Sequence, residues 1–331
     1  MNVLIKYISA FFIFVALTFT SSAQQVYQLS QYLQNLYLLN SATAGLHDYT
    51  EVNLSYRKQW IGINNSPTTY YVSVNTPVGK RIEINPKSSS VRISSPTAYN
   101  SVTRKSYHAV GGYLAQDAYG PYAMLIGSLS YTFHLPLSKD FSISFSPNVS
   151  YKNISFDQSK AKVEFSGDPT YDAYLSTRTS TAQMDINAAF WLYHPKFFVG
   201  YSSAQLVQDR LKFNDQITLE DLKIHHNLIA SYNYKMTRNL TLTPSVLLRY
   251  VDQAPFAFDL NFRLDYQNLY WAGLSYRNSN SLVAMVGLYL SDTIRFGYAF
   301  DLGLTSIQTR NAGSHEVMIR LNLFNKEKAI F

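Results

Sequence analysis

Strict alternation of apolar and polar residues over FAFDLNFRLDY, residues 256–266, is the feature that most constrains the fold. Leu260 and Phe262 fall on one face of an extended chain, and Asp259 and Arg263 fall on the other, because successive strand side chains point to opposite faces. In a soluble sheet the apolar face is buried. In a membrane β-barrel the apolar face meets lipid and the polar face looks into the lumen.

Similar alternation recurs along the chain and predicts about fourteen strands. The predicted strands cover residues 51–60, 70–77, 107–116, 122–133, 141–151, 182–193, 196–206, 224–234, 240–250, 256–266, 269–277, 282–290, 293–301 and 314–323. They run to about 9 to 12 residues, whereas strands of soluble proteins usually have about 5 or 6. A tilted strand needs about 9 to 11 residues to cross a bilayer.

The connections between these stretches sort by length. Brief turns follow the even-numbered strands, and longer loops tend to follow the odd-numbered ones, as in outer-membrane barrels. We therefore predict an all-β fold, a transmembrane antiparallel β-barrel of about 14 strands with a short N-terminal helix or plug segment. Aromatic residues at strand ends are expected to form girdles at the membrane interfaces. They are Trp60, Tyr151, Tyr193, Tyr250, Tyr266 and Tyr270.

Composition excludes several other classes of protein. Charged residues make up 15% of the chain, below the roughly 25% of soluble domains. The net charge of +7 is scattered and forms no Lys/Arg-rich run, so we expect no nucleic-acid partner. The absence of cysteine excludes disulfides, thiolate metal sites and a lipoprotein anchor.

The chain divides into three regions. Residues 1–23 have the layout of a secretory signal peptide, with cleavage expected near Ala23. Residues 24–49 are predicted to be a periplasmic or plug segment with a short helix over roughly Ser30 to Leu38, which Ser30 caps. Residues 50–331 are the barrel, and residues 80–105 form a polar insert on its periplasmic side. The expected location is the cell outer membrane.

No arrangement of residues indicates catalysis, a metal or a cofactor, so we predict that the chain is not an enzyme. His225 and His226 are adjacent on a strand and must face opposite sides. Acids and bases on the lumen side are numerous, and they indicate either a salt-bridge network that fills the barrel or a selectivity surface for a solute. They are Asp185, Arg249, Asp259, Arg263, Asp265, Arg277, Arg295, Asp301, Glu316 and Arg320.

Four blocks of the sequence resemble the PorP/SprF family of type IX secretion membrane proteins. They are SQYLQNLYLLNSATAG (30–45), SYRKQWIGINNSPTTYYVSVNTPV (55–78), DAYGPYAMLIGSLSYTFHLPLSKDFSISF (117–145) and the C-terminal part from residue 269 to 319. The first block matches at Asn40, Ala42, Ala44 and Gly45, and it departs from the family at Ser41, where proline is usual. The second block matches at Arg57, Gln59, Trp60, Gly62, Pro67 and Thr68. The last block includes the Ser-His-Glu at 314–316.

The resemblance implies a non-enzymatic outer-membrane component of the type IX secretion and gliding apparatus. Such a component would act as a scaffold or cargo-specific adaptor that links periplasmic peptidoglycan-associated or ring components to secreted or surface-attached cargo proteins. The alternative is an outer-membrane transporter or porin for a small or apolar solute, with the N-terminal segment as a hatch. We expect plug or partner contacts at Tyr32, Leu36, Asn40, Gly45, Arg57, Gln59, Trp60, Gly62, His315 and Glu316.

Overall fold

The computed structural model describes most of the predicted barrel. The described residues are 29–79, 82–85, 101–161, 180–207, 210–212, 218–221, 223–278, 281–304 and 311–324. The expected signal peptide over residues 1–23 lies outside them, as does most of the insert predicted at 80–105.

The described residues contain fourteen long strands that alternate in direction. They are β1 (Thr50–Lys58), β2 (Thr68–Val78), β3 (Tyr107–Tyr119), β4 (Tyr122–Pro136), β5 (Ser142–Phe156), β6 (Ser180–His194), β7 (Phe197–Ala204), β8 (His225–Tyr232), β9 (Leu240–Val251), β10 (Ala257–Tyr266), β11 (Tyr270–Arg277), β12 (Ser281–Tyr289), β13 (Ile294–Gly303) and β14 (Ser314–Leu323).

Each strand pairs antiparallel with its neighbours along the chain, and the first strand also pairs with the last. Leu54 of β1 lies opposite Ile319 of β14, so the sheet closes into a barrel of 14 strands. This confirms the predicted fold class. Among the described residues, no helix is long and apolar enough to cross a membrane.

The two ends of the barrel differ in their connections. We call the end where even strands pass to odd strands the turn end, and the opposite end the loop end. Turn-end connections include 195–196 and 267–269, whereas loop-end connections include 157–179 and 205–224. Two loop-end connections are short, since β3 and β4 are joined through Gly120 and Pro121 alone and β11 and β12 through residues 278–280. Small hairpins form at both ends, Ile82–Asn85 with Ser101–Arg104 and Arg210–Lys212 with Thr218–Asp221.

Burial along the strands is the reverse of that in a soluble protein. In β10, Asp259 and Asn261 are 0% and 1% exposed, whereas Leu260 and Phe262 are 41% and 55% exposed. The alternation noted in the sequence therefore places carboxylates and amides in the lumen and leaves the apolar row on the outside. A closed sheet with an apolar outer face satisfies its backbone hydrogen bonds internally, as a lipid environment requires.

Aromatic side chains occupy the outer rims. Tyr151, Tyr250 and Tyr270 are exposed, and the ring of Tyr266 stacks on Tyr270 with centroids 5.0 Å apart. The prediction for Tyr193 was wrong, because the side chain lies on the inner row of β6 and its hydroxyl meets His134 Nδ1 at 3.0 Å. The hydrogen bond to His134 holds the Tyr193 side chain inside the barrel, although its position at a strand end had predicted that it lies at the membrane interface.

The polarity of the two faces switches near the loop end of β5. Val149 and Tyr151 are exposed on the outer row, but the next outer residues are Asn153 and Ser155. On the inner row Ile154 and Phe156 are buried. β4, β5 and β6 have 15 residues each, more than the roughly 11 that span a bilayer. We infer that these strands continue beyond the hydrocarbon region with their apolar side inward.

Residues 29–49, which we call the plug segment, lie inside the barrel and lead into β1. The predicted short helix is present but starts later than expected, at Leu36–Leu39, and a 3₁₀ turn follows at Ser41–Thr43. Ser30 does not cap it, because its hydroxyl donates instead to the carboxylate of Asp301. Contacts with the barrel wall thus override the local helical preference of residues 30–35.

The exposed apolar row generates a prediction about stability. Leu274 is 65% exposed in the middle of β11, and Leu137 is 59% exposed in the turn after β4. We expect Leu274→Arg to destabilise the barrel in lipid vesicles by about 2–4 kcal/mol, and Leu137→Arg by about 0–1 kcal/mol, because a guanidinium is costly only in hydrocarbon. Urea unfolding in vesicles measures both. Equal losses for the two variants would contradict the lipid-facing assignment.

Candidate functional site

A chain of ion pairs crosses the lumen toward the loop end. Arg249 Nη2 lies 2.6 Å from Asp259, Arg277 bridges Asp259 at 3.5 Å and Asp301 at 3.6 Å, and Arg57 lies 2.7 Å from Asp301. The residues of this series of ion pairs lie on β9, β10, β11, β13 and β1. Its members are at least four-fifths buried, so each charge depends on its neighbours for solvation.

The series of ion pairs ends at Glu316, which is fully buried on β14. Arg57 and Glu316 face each other across the β1–β14 pairing, and their side chains approach to 3.4 Å. The complete network, which we call the ionic ladder, contains three guanidinium and three carboxylate groups. The members are Arg57, Arg249, Arg277, Asp259, Asp301 and Glu316.

The ionic ladder holds the start of the plug segment. The backbone amides of Ser30 and Gln31 donate to the two carboxylate oxygens of Glu316 at 2.7 and 3.2 Å. The Ser30 hydroxyl donates to Asp301 at 2.6 Å and also accepts from Arg57. Arg277 Nη2 donates to the carbonyl oxygen of Leu29 at 2.7 Å. Hydrogen bonds to charged groups are stronger than neutral ones, so this end of the plug segment is firmly attached to the wall.

A second charged cluster supports the plug segment nearer the turn end. Arg263 donates to Gln34 Oε1 at 2.8 Å and pairs with Asp265 at 2.6 Å. Tyr289 accepts from Arg263 and donates to Asp265, and the guanidinium lies 4.7 Å from the centroid of the Trp271 ring. Together with the ionic ladder, this cluster shows that most of the predicted lumen charges form a network rather than an open charged surface.

Two tyrosines fix the middle of the plug segment. The Tyr32 hydroxyl accepts a hydrogen bond from Asn261 Nδ2 at 2.9 Å, and the Tyr37 hydroxyl lies 2.7 Å from Ser130 Oγ. Burial raises the pKa of both phenols well above the usual range, so they stay neutral. Tyr32 also packs in an apolar cluster with wall residues, and Leu36 lies against the same cluster.

Asn40 joins the plug segment to the opposite wall. Its Nδ2 group donates to the carbonyl oxygens of Phe190 and Tyr201 at 3.1 and 3.0 Å, and its Oδ1 accepts from the Ala42 amide at 3.0 Å. All of its side-chain hydrogen-bonding groups are therefore used. Aspartate at position 40 would place a carboxylate oxygen, which cannot donate, against these two carbonyl oxygens. Asparagine suits the position because its amide nitrogen donates to both.

Small residues complete the exit of the plug segment toward β1. Thr132 and Ser144 donate to the carbonyl oxygens of Ser41 and Ala42 at 3.0 and 2.6 Å. Gly45 has φ +69, and a Cβ there would lie 2.5 Å from that of Ala109. A residue with a side chain would meet both conformational strain and a clash at this point.

The inner wall also contains a glycine that makes room for the plug segment. A Cβ at Gly111 of β3 would lie 2.7 Å from the Tyr37 ring. This glycine was not identified from the sequence as a contact site, and neither were Leu29, Ser30 and Gln31. An inward-facing glycine within a predicted strand was the available signal for close approach of another segment.

The predicted site residues separate into two groups. Tyr32, Leu36, Asn40 and Gly45 lie on the plug segment, and the wall residues Arg57 and Glu316 contact its start. The others lie at the loop end, outside this set of contacts. Trp60 donates its amide to Ser314 Oγ at 3.2 Å, and His315 faces outward with Nδ1 2.6 Å from the Tyr298 hydroxyl. Gln59 and Gly62 belong to the same connection as Trp60.

Cavities lie on both sides of the plug segment. A cavity of about 880 Å³ at the turn end is lined by Leu33, Leu46 and Lys196, and a cavity of about 560 Å³ at the loop end is lined by Leu29, Leu38 and Asp185. Tyr37 borders both of them. Among the described residues there is no cluster of three or more potential metal ligands.

Comparison with known proteins identifies one family. The family model described as "Type IX secretion system membrane protein PorP/SprF" matches residues 21–321. No curated protein matches the chain.

Several solved outer-membrane structures are similar at low identity. Acinetobacter baumannii outer membrane protein Omp33 is 10% identical with a TM-score of 0.45, over 84% of this chain and 100% of that chain. The monoaromatic hydrocarbon channel CymD is 11% identical with a TM-score of 0.47, over 84% and 90%. The P. putida toluene transporter TodX is 8% identical with a TM-score of 0.44, over 84% and 91%.

The ionic ladder generates a prediction about the plug segment. Arg57→Ala leaves Asp301 and Glu316 without their shared partner, which we expect to cost about 3–5 kcal/mol of stability. The plug segment should loosen at the same time. Since the chain has no cysteine, a single Thr43→Cys reporter, at a position 6% exposed, can measure maleimide labelling in each variant.

The control for this experiment is Arg238→Ala, because Arg238 is an exposed arginine in the turn before β9. Labelling should accelerate with Arg57→Ala and stay unchanged with Arg238→Ala. Equal labelling rates in all three proteins would show that the ladder does not hold the plug segment.

Proposed function

Because the chain belongs to the PorP/SprF family of type IX secretion system membrane proteins, we propose that it is a non-enzymatic scaffold or cargo-specific adaptor of that system. Its β-barrel fold and its family support a location in the outer membrane. In the proposed arrangement the turn end faces the periplasm, where peptidoglycan-associated or ring components bind. The loop end faces outward and contacts secreted or surface-attached proteins.

The observation that carries the proposal is the attachment of the plug segment to the wall. Six charged side chains from six strands are engaged in the ionic ladder, which contacts residues 29–31 of the plug segment. Charges committed to internal pairing are not free to select a passing solute. A barrel filled in this way suits a rigid support between partners on its two sides.

The turn-end cavity supports docking from the periplasm. It contains Leu33 and Leu46 of the plug segment, and its rim includes the exposed Lys196 and Lys235. A periplasmic protein bound at this rim would contact both the barrel and the plug segment. Apolar residues surrounded by a charged rim are typical of protein-binding sites.

We expect deletion of the gene to leave growth intact and to remove a specific set of surface proteins. The wild-type chain should restore them. Tagged protein purified from membranes should carry along a periplasmic component of the secretion system and at least one secreted protein, identified by mass spectrometry. Restoration and copurification should be retained with Arg238→Ala and reduced with Arg57→Ala, if the plug segment must be fixed for partner binding. An unchanged surface proteome after deletion would contradict the adaptor role.

The second candidate is a transporter or porin for a small or apolar solute. It is favoured by the two cavities, of about 880 and 560 Å³, that meet the plug segment from opposite sides. Movement of the plug segment would then connect them. For an adaptor we expect the wild-type protein to give no solute flux in liposome-swelling and conductance measurements. Clear flux in the wild type, increased by Arg57→Ala, would favour transport instead.

A further inference from the structure

Part of the wall of the loop-end cavity is apolar. Met124 and Ile126 of β4 and Ile154 of β5 line it on the barrel side, and Leu29 and Leu38 line it on the plug side. Its volume of about 560 Å³ lies within the usual range of small-molecule sites. By contrast, the inner rows of β1 and β14 consist mostly of serine, asparagine and charged residues.

The apolar wall coincides with the change in strand polarity. Asn153 and Ser155 face outward where Ile154 and Phe156 face inward, which is the basis for placing this end of β5 beyond the hydrocarbon region. The inward side chains of this part of the wall line the loop-end cavity. Apolar surface in contact with water favours association with an apolar group.

Two polar side chains of β6 border the apolar wall. Asp185 lines the cavity and is 7% exposed, and its Oδ1 accepts from the amides of Ile186 and Val207 at 2.7 and 3.1 Å. Within the part of the chain that the structure describes, Asp185 Oδ2 has no hydrogen-bond partner, and neither has Gln183 Nε2. Buried polar groups in proteins are usually hydrogen-bonded, and either an ordered water or the polar group of a bound ligand can supply the partner.

The hydrogen-bonding capacity of Asp185 and Gln183 indicates which polar group of a ligand would fit between them. Asp185 Oδ2 requires a hydrogen-bond donor and Gln183 Nε2 requires an acceptor. The two residues lie on the same face of β6, about 7 Å apart between Cα atoms. Lys152, which also lines the cavity, lies opposite Gln183 on the neighbouring strand. The lining thus contains both a carboxylate and an ammonium group, so a charged ligand group would meet a like charge in the cavity, whereas a neutral one would not.

We propose that the loop-end cavity binds a small amphipathic molecule with an apolar tail and an uncharged head group that both donates and accepts hydrogen bonds, such as a carboxamide. The tail lies against Met124, Ile126 and Ile154. The head group donates to Asp185 and accepts from Gln183. Binding of this ligand does not depend on the proposed role of the protein as an adaptor.

The test uses the full chain in lipid nanodiscs and titrates octanamide by calorimetry, with empty nanodiscs subtracted. Octylamine and octanoate have the same tail with a cationic or an anionic head. We expect saturable binding of octanamide and binding of each charged analogue that is at least about tenfold weaker. Asp185→Asn should weaken octanamide by a similar factor, because the new amide replaces an acceptor with a donor.

Two neighbouring substitutions on β5 provide a matched pair. Ser150 lines the cavity, whereas Val149 is 47% exposed on the outer row. Ser150→Phe should abolish octanamide binding by filling the cavity, and Val149→Phe should leave it unchanged. If Ser150→Phe fails to fold, as judged by its heat-dependent mobility in a gel, Ser128→Phe fills the same cavity from β4.

The proposal is overturned if octanamide binds no more than to empty nanodiscs, or if the filling variants bind it normally. Preference for octylamine or octanoate would overturn the neutral head group. None of these results depends on the surface proteome or on copurified partners. Failure of the ligand proposal and failure of the adaptor proposal are therefore distinguishable.

Discussion

Backbone amide and carbonyl groups cannot remain unpaired in hydrocarbon, and this constraint governs the whole molecule. It closes the sheet through the pairing of β1 with β14. Closure in turn gives every strand one face toward lipid and one toward an enclosed space. The alternation of apolar and polar residues, as at Leu260 and Asp259, then determines which face is which.

The second requirement is that the charged side chains enclosed in the lumen have partners, because an unpaired buried charge is costly. Three guanidinium and three carboxylate groups pair with one another in the ionic ladder, and the backbone of residues 29–31 adds further hydrogen bonds to it. The plug segment is therefore part of the charge balance of the lumen. Removing a single member leaves others buried without compensation, so structure and any function of the plug segment are coupled.

The strands were predictable because period-two alternation is a local signal that extends over whole segments. The arrangement inside the barrel was not, because it depends on pairings between residues far apart in the chain. Ser30 illustrates this point, since its sequence context indicated a helix cap, yet Asp301 and Glu316 hold it in a different conformation. The cavity wall at Ile154 was missed for another reason, because the alternation continues through β5 while the faces exchange polarity.

The position of Arg57 and Glu316 on the first and last strands has a consequence for biogenesis. Their pairing forms across the seam between β1 and β14 that closes the barrel. Until β14 pairs with β1, the amides of residues 30 and 31 lack the carboxylate of Glu316 that accepts from them. Closure of the seam therefore completes the wall and fixes the start of the plug segment in the same step.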